Sequence, residues 1–240
     1  MHKIWFTVVT AALLSFSGHL LAKPEQLPFF KANYNAFIKG VPLKATREFR
    51  SINNNQNLGE LHFSASSWLA SLSETSQFSW ENNHIKPIRF THTRTIIGSE
   101  EKKMLSFDWT NQQIVSTEDE TVHIIKNPAQ ALDRLSFQLQ LQYDLLTGVD
   151  DYQYRIADKN RIKEYQFEIL GQEITQTSLG QLNALKVKVI RTGKKRHTYL
   201  WLAQDWQNLL IRLEQYKNDD KEFELQLINA TVSGRSVSGI

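Results

Sequence analysis

Five histidines downstream of the N-terminal segment, His62, His84, His92, His123 and His197, are the residues best suited to move a proton or hold zinc. They are scattered along the chain, whereas a zinc site needs three protein ligands brought together. The plain reading makes each a surface histidine or a singly bonded core histidine. His92 stands apart, because it shares an alternating face with Ile88, Phe90 and Ile96 and is expected to point inward. The chain has no cysteine, which excludes thiolate nucleophiles, disulfides and soft-metal sites. It also lacks a Gly-x-Ser-x-Gly elbow, a His-Glu-x-x-His helix and a glycine-rich phosphate loop. Carboxylates adjoin at Glu118-Asp119-Glu120 and at Asp150-Asp151. Glycosidase chemistry needs two carboxyls about 5–9.5 Å apart across a cleft, and neighbours in a turn point in different directions. These runs, and Asp219-Asp220, read as turn charge. The expectation is a protein that is not an enzyme and needs no metal or cofactor.

Aromatic residues are the positive signal. The chain carries 6 Trp, 7 Tyr and 13 Phe, several alternating in pairs: Phe78 with Trp80, Phe107 with Trp109, Tyr199 with Trp201. In a closed core each large ring buries about 150–250 Å². On a curved sheet the same rings can line an apolar cavity, since ligand pockets are apolar walls with a few placed polar groups. Phe78, Trp80, Phe90, Phe107, Trp109, Tyr199 and Trp201 are the candidate walls. His92, Arg94 and Arg191 are the candidate polar groups at the mouth.

These side chains need strands to position them. Alternation of period two runs through 88–96, 162–169, 185–189, 199–201 and 223–227, which gives each strand one buried face and one wetter face. Asn53-Asn54-Asn55, Asn82-Asn83, Gly98-Ser99, Thr110-Asn111, Gly180-Gln181, Gly193-Lys194 and Asn218-Asp219-Asp220 separate the runs with turn chemistry. The pattern predicts a mostly β fold, an antiparallel meander forming a curved sheet or partial barrel. One main helix is expected at 128–147, capped by Asn127, started by Pro128 and stopped by Gly148. About 20 residues long, it would span about 30 Å across the sheet's concave face.

The N-terminus sets the compartment. A basic Met1-His2-Lys3, an apolar run from Ile4 to Phe16 and Ala22 before Lys23-Pro24 predict a signal peptide at 1–22. The working protein is then a single β-rich domain at 23–240, exported to the periplasm, with no transmembrane segment after signal removal and no thiol for a lipid anchor. Removing Lys3 lowers the net charge from +3 to +2, too nearly balanced for a nucleic-acid footprint. The dense basic cluster, Lys194-Lys195-Arg196, reads as a solvated hairpin turn.

Ala32-Asn33-Tyr34, Phe107-Asp108-Trp109, Asp133-Arg134-Leu135-Ser136, Tyr165-Gln166-Phe167, Thr177-Ser178-Leu179-Gly180 and Trp201-Leu202-Ala203-Gln204-Asp205 occur in an order that resembles domain of unknown function 3108. This is a family of exported bacterial proteins, and the likeness spans roughly 32 to 232. It implies an envelope-located, mostly β protein with no established activity, and it supplies no catalytic residue. At fold level the layout also resembles half-barrel lipoprotein carriers of the periplasm. Two functions fit. One is a non-enzymatic binding protein for a lipid or acyl chain in a partial barrel. The other is a structural or assembly factor with a protein-binding surface, and an unrecognised hydrolase ranks behind both.

Overall fold

Paired asparagines punctuate the chain with left-handed turns. Asn53 and Asn54 (φ 53° and 56°) and Asn82 and Asn83 (φ 52° and 67°) take the backbone that a two-residue hairpin requires to match strand twist. The structure, a computed structural model, describes residues 26–190 and 196–239. The expected signal peptide, Arg191 and Lys194-Lys195 lie outside the described residues.

Eight strands lead the chain: β1 (Phe30–Ile38), β2 (Val41–Ile52), β3 (Asn55–Ser66), β4 (Ala70–Glu81), β5 (His84–Ile96), β6 (Ser99–Asp108), β7 (Gln113–Glu118) and β8 (Thr121–Lys126). A two-residue β9 (Ala131–Leu132) and helix α1 (Ser136–Thr147) follow. The remainder is β10 (Gln153–Asp158), β11 (Arg161–Thr177), β12 (Gly180–Ile190), β13 (Arg196–Ala203), a single 3-10 turn at Gln204–Trp206, β14 (Leu209–Lys217), β15 (Asp220–Val232) and β16 (Arg235–Ser236).

All sixteen strands of the described residues join one sheet, ordered β8-β7-β6-β5-β4-β3-β2-β1-β15-β14-β13-β12-β11-β10-β9, with β16 on β15. Every pairing is antiparallel except β9 with β10. The sheet does not close on itself: β8 and β9 end the order. Its two ends are nevertheless brought together by side chains. Ser116 Oγ on β7 donates to the carbonyl oxygen of Lys159 in the β10–β11 turn. Ser76 Oγ on β4 donates to Asp133 Oδ2, next to β9, at 2.6 Å. A polar seam thus stands where a closed barrel would have another ladder.

Alternation sorts the faces as the sequence suggests. Phe30, Ala32, Tyr34 and Ala36 on β1 are buried, as are Leu43, Ala45, Arg47 and Phe49 on β2. The expectation fails at Ile96, 40% exposed at the strand's end, and at Ile88, which is 44% exposed. A bulge opposite Gln77 and Phe78 pairs Phe78 with Pro87 and Gln77 with Arg89, so Ile88 is the extra residue and turns outward.

The helix is shorter than the sequence suggests. Asn127 has φ 55° and does not cap; the Ala131 amide closes a turn onto the Pro128 carbonyl, and Ala131 and Leu132 become β9. Asp133 starts the helix instead, because its Oδ1 accepts from the amides of Leu135 (2.8 Å) and Ser136 (2.9 Å). The stop at Gly148 (φ 67°) is as expected. Twelve residues give a rod of about 18 Å. It lies on the concave face, where Tyr143 packs on Trp80 of β4 (centroids 5.3 Å) and Phe137 on Phe167 of β11 (5.7 Å).

Candidate functional site

One hydrogen-bonded row of the sheet carries polar side chains on its inner face. Register places Arg47 of β2 beside Phe63 of β3, Phe63 beside Glu74 of β4 and Glu74 beside His92 of β5. His92 is beside Lys103 of β6, and Lys103 beside Glu118 of β7. Each faces inward on its strand, so five charged or titratable groups share one level inside the sheet. Directly opposed residues stand about 4.5–5.5 Å apart at Cβ, close enough to pair.

Most of them do pair. His92 Nδ1 lies 2.8 Å from Glu74 Oε1, and both residues are buried. Arg134, from the segment before α1, reaches Glu74 Oε1 at 3.5 Å across the seam. A carboxylate oxygen accepts, so Nδ1 is the imidazole nitrogen that donates in this contact, and Nε2 is the other ring nitrogen. That Nε2 is buried without a partner. Glu118 joins Lys103 and Lys159, each at 3.2 Å. Its burial favours the neutral acid, but hydrogen bonds from the two lysines outweigh this and hold its pKa below the ordinary glutamate value.

His92, Lys103, Ser116, Glu118, Arg134 and Lys159 line a cavity of about 10 Å³, the size of one water molecule. A histidine oriented by a carboxylate is half of a nucleophile-activating pair. The Ser116 hydroxyl, however, donates to the Lys159 carbonyl and not to His92. The arrangement as it stands locks the sheet ends together and leaves one buried imidazole nitrogen, His92 Nε2, without a partner. Among the described residues no three His, Asp or Glu side chains are grouped to hold a metal ion.

The residues singled out from sequence divide by location. Phe78, Trp80, Phe90, His92 and Phe107 are buried on the inner face. Phe49, Phe78, Trp80 and Tyr143 form a chain of rings with centroids 6.0, 6.2 and 5.3 Å apart, so the helix end of the interior is filled by aromatic packing. Trp109 lies in the β6–β7 turn, stacked on Phe107 at 5.6 Å and donating to the Pro87 carbonyl at 2.8 Å. Arg94 is exposed at the rim, 3.9 Å from Glu101. Tyr199 and Trp201 are on the outer face, where Trp201 is nevertheless buried (4% exposed) between Lys186 and Arg212, each 4.8 Å from its ring centroid. The sequence reading missed Arg47, Glu74, Lys103 and Arg134; for the first three, a charged residue at an inward position of an alternating strand was the available signal, whereas Arg134 stands in the turn before α1.

The family model described as Protein of unknown function (DUF3108) matches residues 34–226. The chain belongs to this family. No curated protein matches it. Among solved structures it is similar to a β-barrel-like protein of domain of unknown function DUF1849 from Brucella abortus. Identity there is 10% and the TM-score 0.56, over 86% of this chain and 98% of that one. The likeness is one of fold, and it agrees with the open, barrel-like sheet. A candidate lipoprotein from Parabacteroides distasonis aligns at 14% identity and a TM-score of 0.34, over 86% of this chain and 96% of that one. A candidate exported protein with a YmcC-like fold from Bacteroides fragilis aligns at 10% and 0.33, over 86% and 99%.

Proposed function

We propose that this DUF3108 protein is an exported, periplasmic binding protein that holds an apolar ligand, a lipid or acyl chain, inside its partial barrel without catalysing a reaction. The observation that supports this reading is the way α1 occupies the concave face. It adds no strand to the ladder, and its buried side chains are largely polar. Gln140 Oε1 accepts from the Ile85 amide at 2.7 Å, Gln142 Nε2 donates to the Gln207 carbonyl at 2.7 Å, and Asp144 accepts from the Tyr154 hydroxyl at 2.8 Å. These contacts can be exchanged for water, whereas the aromatic surface beneath them cannot. The helix therefore acts as a plug on an apolar site, and an acyl chain enters by displacing it.

Hydrogen exchange tests this with oleate as the probe. Saturating oleate should speed exchange in peptides covering 136–147 while the β1–β4 ladders stay protected. Unchanged protection of the helix at saturation contradicts the plug.

A second reading, an assembly factor, has its own support at the sheet edge. The β7–β8 register turns the backbone groups of Val122 and Ile124 away from β7, and these side chains are 59% and 50% exposed. An open apolar edge accepts an added strand. Envelope crosslinking with wild type and Ile124→Lys tests it: a partner captured only by wild type supports it, and equal capture contradicts it.

A further inference from the structure

One full charge inside the sheet is answered by no other in the described residues. Arg47 faces inward on β2 between Ala45 and Phe49 and is 3% exposed. Its guanidinium carbon lies 5.5 Å from the Phe30 ring centroid, and its Nε is buried without a hydrogen-bond partner. Tyr34 is the polar group that faces it, and contact with this hydroxyl favours the charged guanidinium. Burial pushes the Tyr34 pKa up to about 12, so this hydroxyl is neutral, and it donates to the Leu210 carbonyl at 2.9 Å. The carboxylates of the same row are committed elsewhere, Glu74 to His92 and Arg134, Glu118 to Lys103 and Lys159. Among the described residues no carboxylate forms an ion pair with Arg47.

A guanidinium keeps its proton under all ordinary conditions, and burying one without a counter-ion opposes folding. Burial accordingly depresses its pKa. The planar fork of N–H donors fits the oxygens of a carboxylate or a phosphate. The surroundings select the rest of the ligand. Ala32 stands beside Arg47 in register, Ala36, Ala45 and Ala65 continue the same buried face toward the β1–β2 turn, and Phe30 and Phe49 complete the wall. An apolar environment with one cation suits an acidic head group that carries an apolar chain.

We propose that Arg47 is the anion subsite of the barrel interior, and that the ligand is an amphiphile whose carboxylate or phosphate head group pairs with its guanidinium. This rests on the carrier reading above. It goes further by naming the ligand's charge and the residue that reads it.

The test compares binding of oleate, 1-oleoyl lysophosphatidate and uncharged oleyl alcohol by the wild-type protein and by Arg47→Met, with thermal unfolding of both proteins without ligand. Wild type should bind at least one acidic probe ten-fold or more tighter than the alcohol, and the tighter acid identifies the head group. Arg47→Met should bind the alcohol as wild type does and lose the preference. Its melting temperature should be unchanged or higher, by up to about 8 °C, because an unpaired buried charge has been replaced by an apolar side chain of similar length. Equal wild-type affinity for acids and alcohol overturns the Arg47 assignment and leaves the carrier intact. An Arg47→Met protein that melts well below wild type makes Arg47 a structural residue and also overturns it. Failure of every probe to bind overturns the carrier reading and this assignment with it.

Discussion

Glu74 and His92 oppose each other across the β4–β5 ladder, with Oε1 2.8 Å from Nδ1 and both side chains less than a tenth exposed. The pair sits where the sheet's two ends meet, and Arg134 approaches the same carboxylate oxygen from beyond the seam. Removing the carboxylate strands a buried imidazole N–H. Glu74→Ala should therefore destabilise the protein by about 2–4 kcal/mol in urea unfolding. Glu74→Gln, which keeps an oxygen for Nδ1, should cost less. Equal losses in the two variants would show that the hydrogen bond does not hold this part of the seam.

Gly59 on β3 lies against the ring chain. A Cβ there would stand 2.6 Å from Phe78 Cε2 and 3.0 Å from Phe49 Cε2. Those rings pack on each other and, through Trp80, on α1, so they have little room to yield. Gly59→Ala is expected to lower stability by about 1–3 kcal/mol through overpacking. A neutral result in denaturant titration would mean the ring chain can shift, and with it the helix.

Two carboxylates give opposite pH signatures. Burial pushes the Glu214 pKa up, but hydrogen bonds from Lys221, Tyr216 and Arg212 outweigh it and hold it below the ordinary value. A lowered folded pKa gives stability that is present above the unfolded value, about 4.3, and lost as pH falls through the folded one. Burial raises the Asp133 pKa despite its hydrogen bonds from Ser76, Ser136 and Leu135. Its contribution is present below the unfolded value, about 3.9, and lost as pH rises through the folded one. In thermal unfolding from pH 3 to 8, the deficit of Glu214→Gln against wild type should be largest at neutral pH and shrink in acid. That of Asp133→Asn should be largest in acid and shrink toward neutrality. The reverse trends would contradict these environments.

The strands were legible because alternation and paired asparagines are local signals, and Asn53-Asn54 and Asn82-Asn83 each make the turn they announce. The helix start was not. Pro128 satisfies a helical first position as well as a turn, and the deciding group, Asp133, works through a tertiary bond from Ser76 fifty-seven residues away. Ile88 was misplaced because a bulge adds a residue without altering composition. His92 was found by its place in an apolar alternation. Glu74 and Arg47 obey the same rule on Leu72-Glu74-Ser76 and Ala45-Arg47-Phe49, where a charge at an inward position reads at first as a break in the pattern. Tyr199 and Trp201 show the converse: alternating rings mark a face, but only the register with Lys186 and Arg212 shows that it is the outer one.

Whether the barrel carries an apolar cargo is answered most directly by what leaves it. The protein should be purified from its native host without detergent, extracted with organic solvent and the extract analysed by mass spectrometry against the protein's molar amount. A stoichiometric acyl-chain molecule is the predicted result. A well-folded protein that yields none would contradict the carrier account and leave the open β8 edge as the feature to pursue.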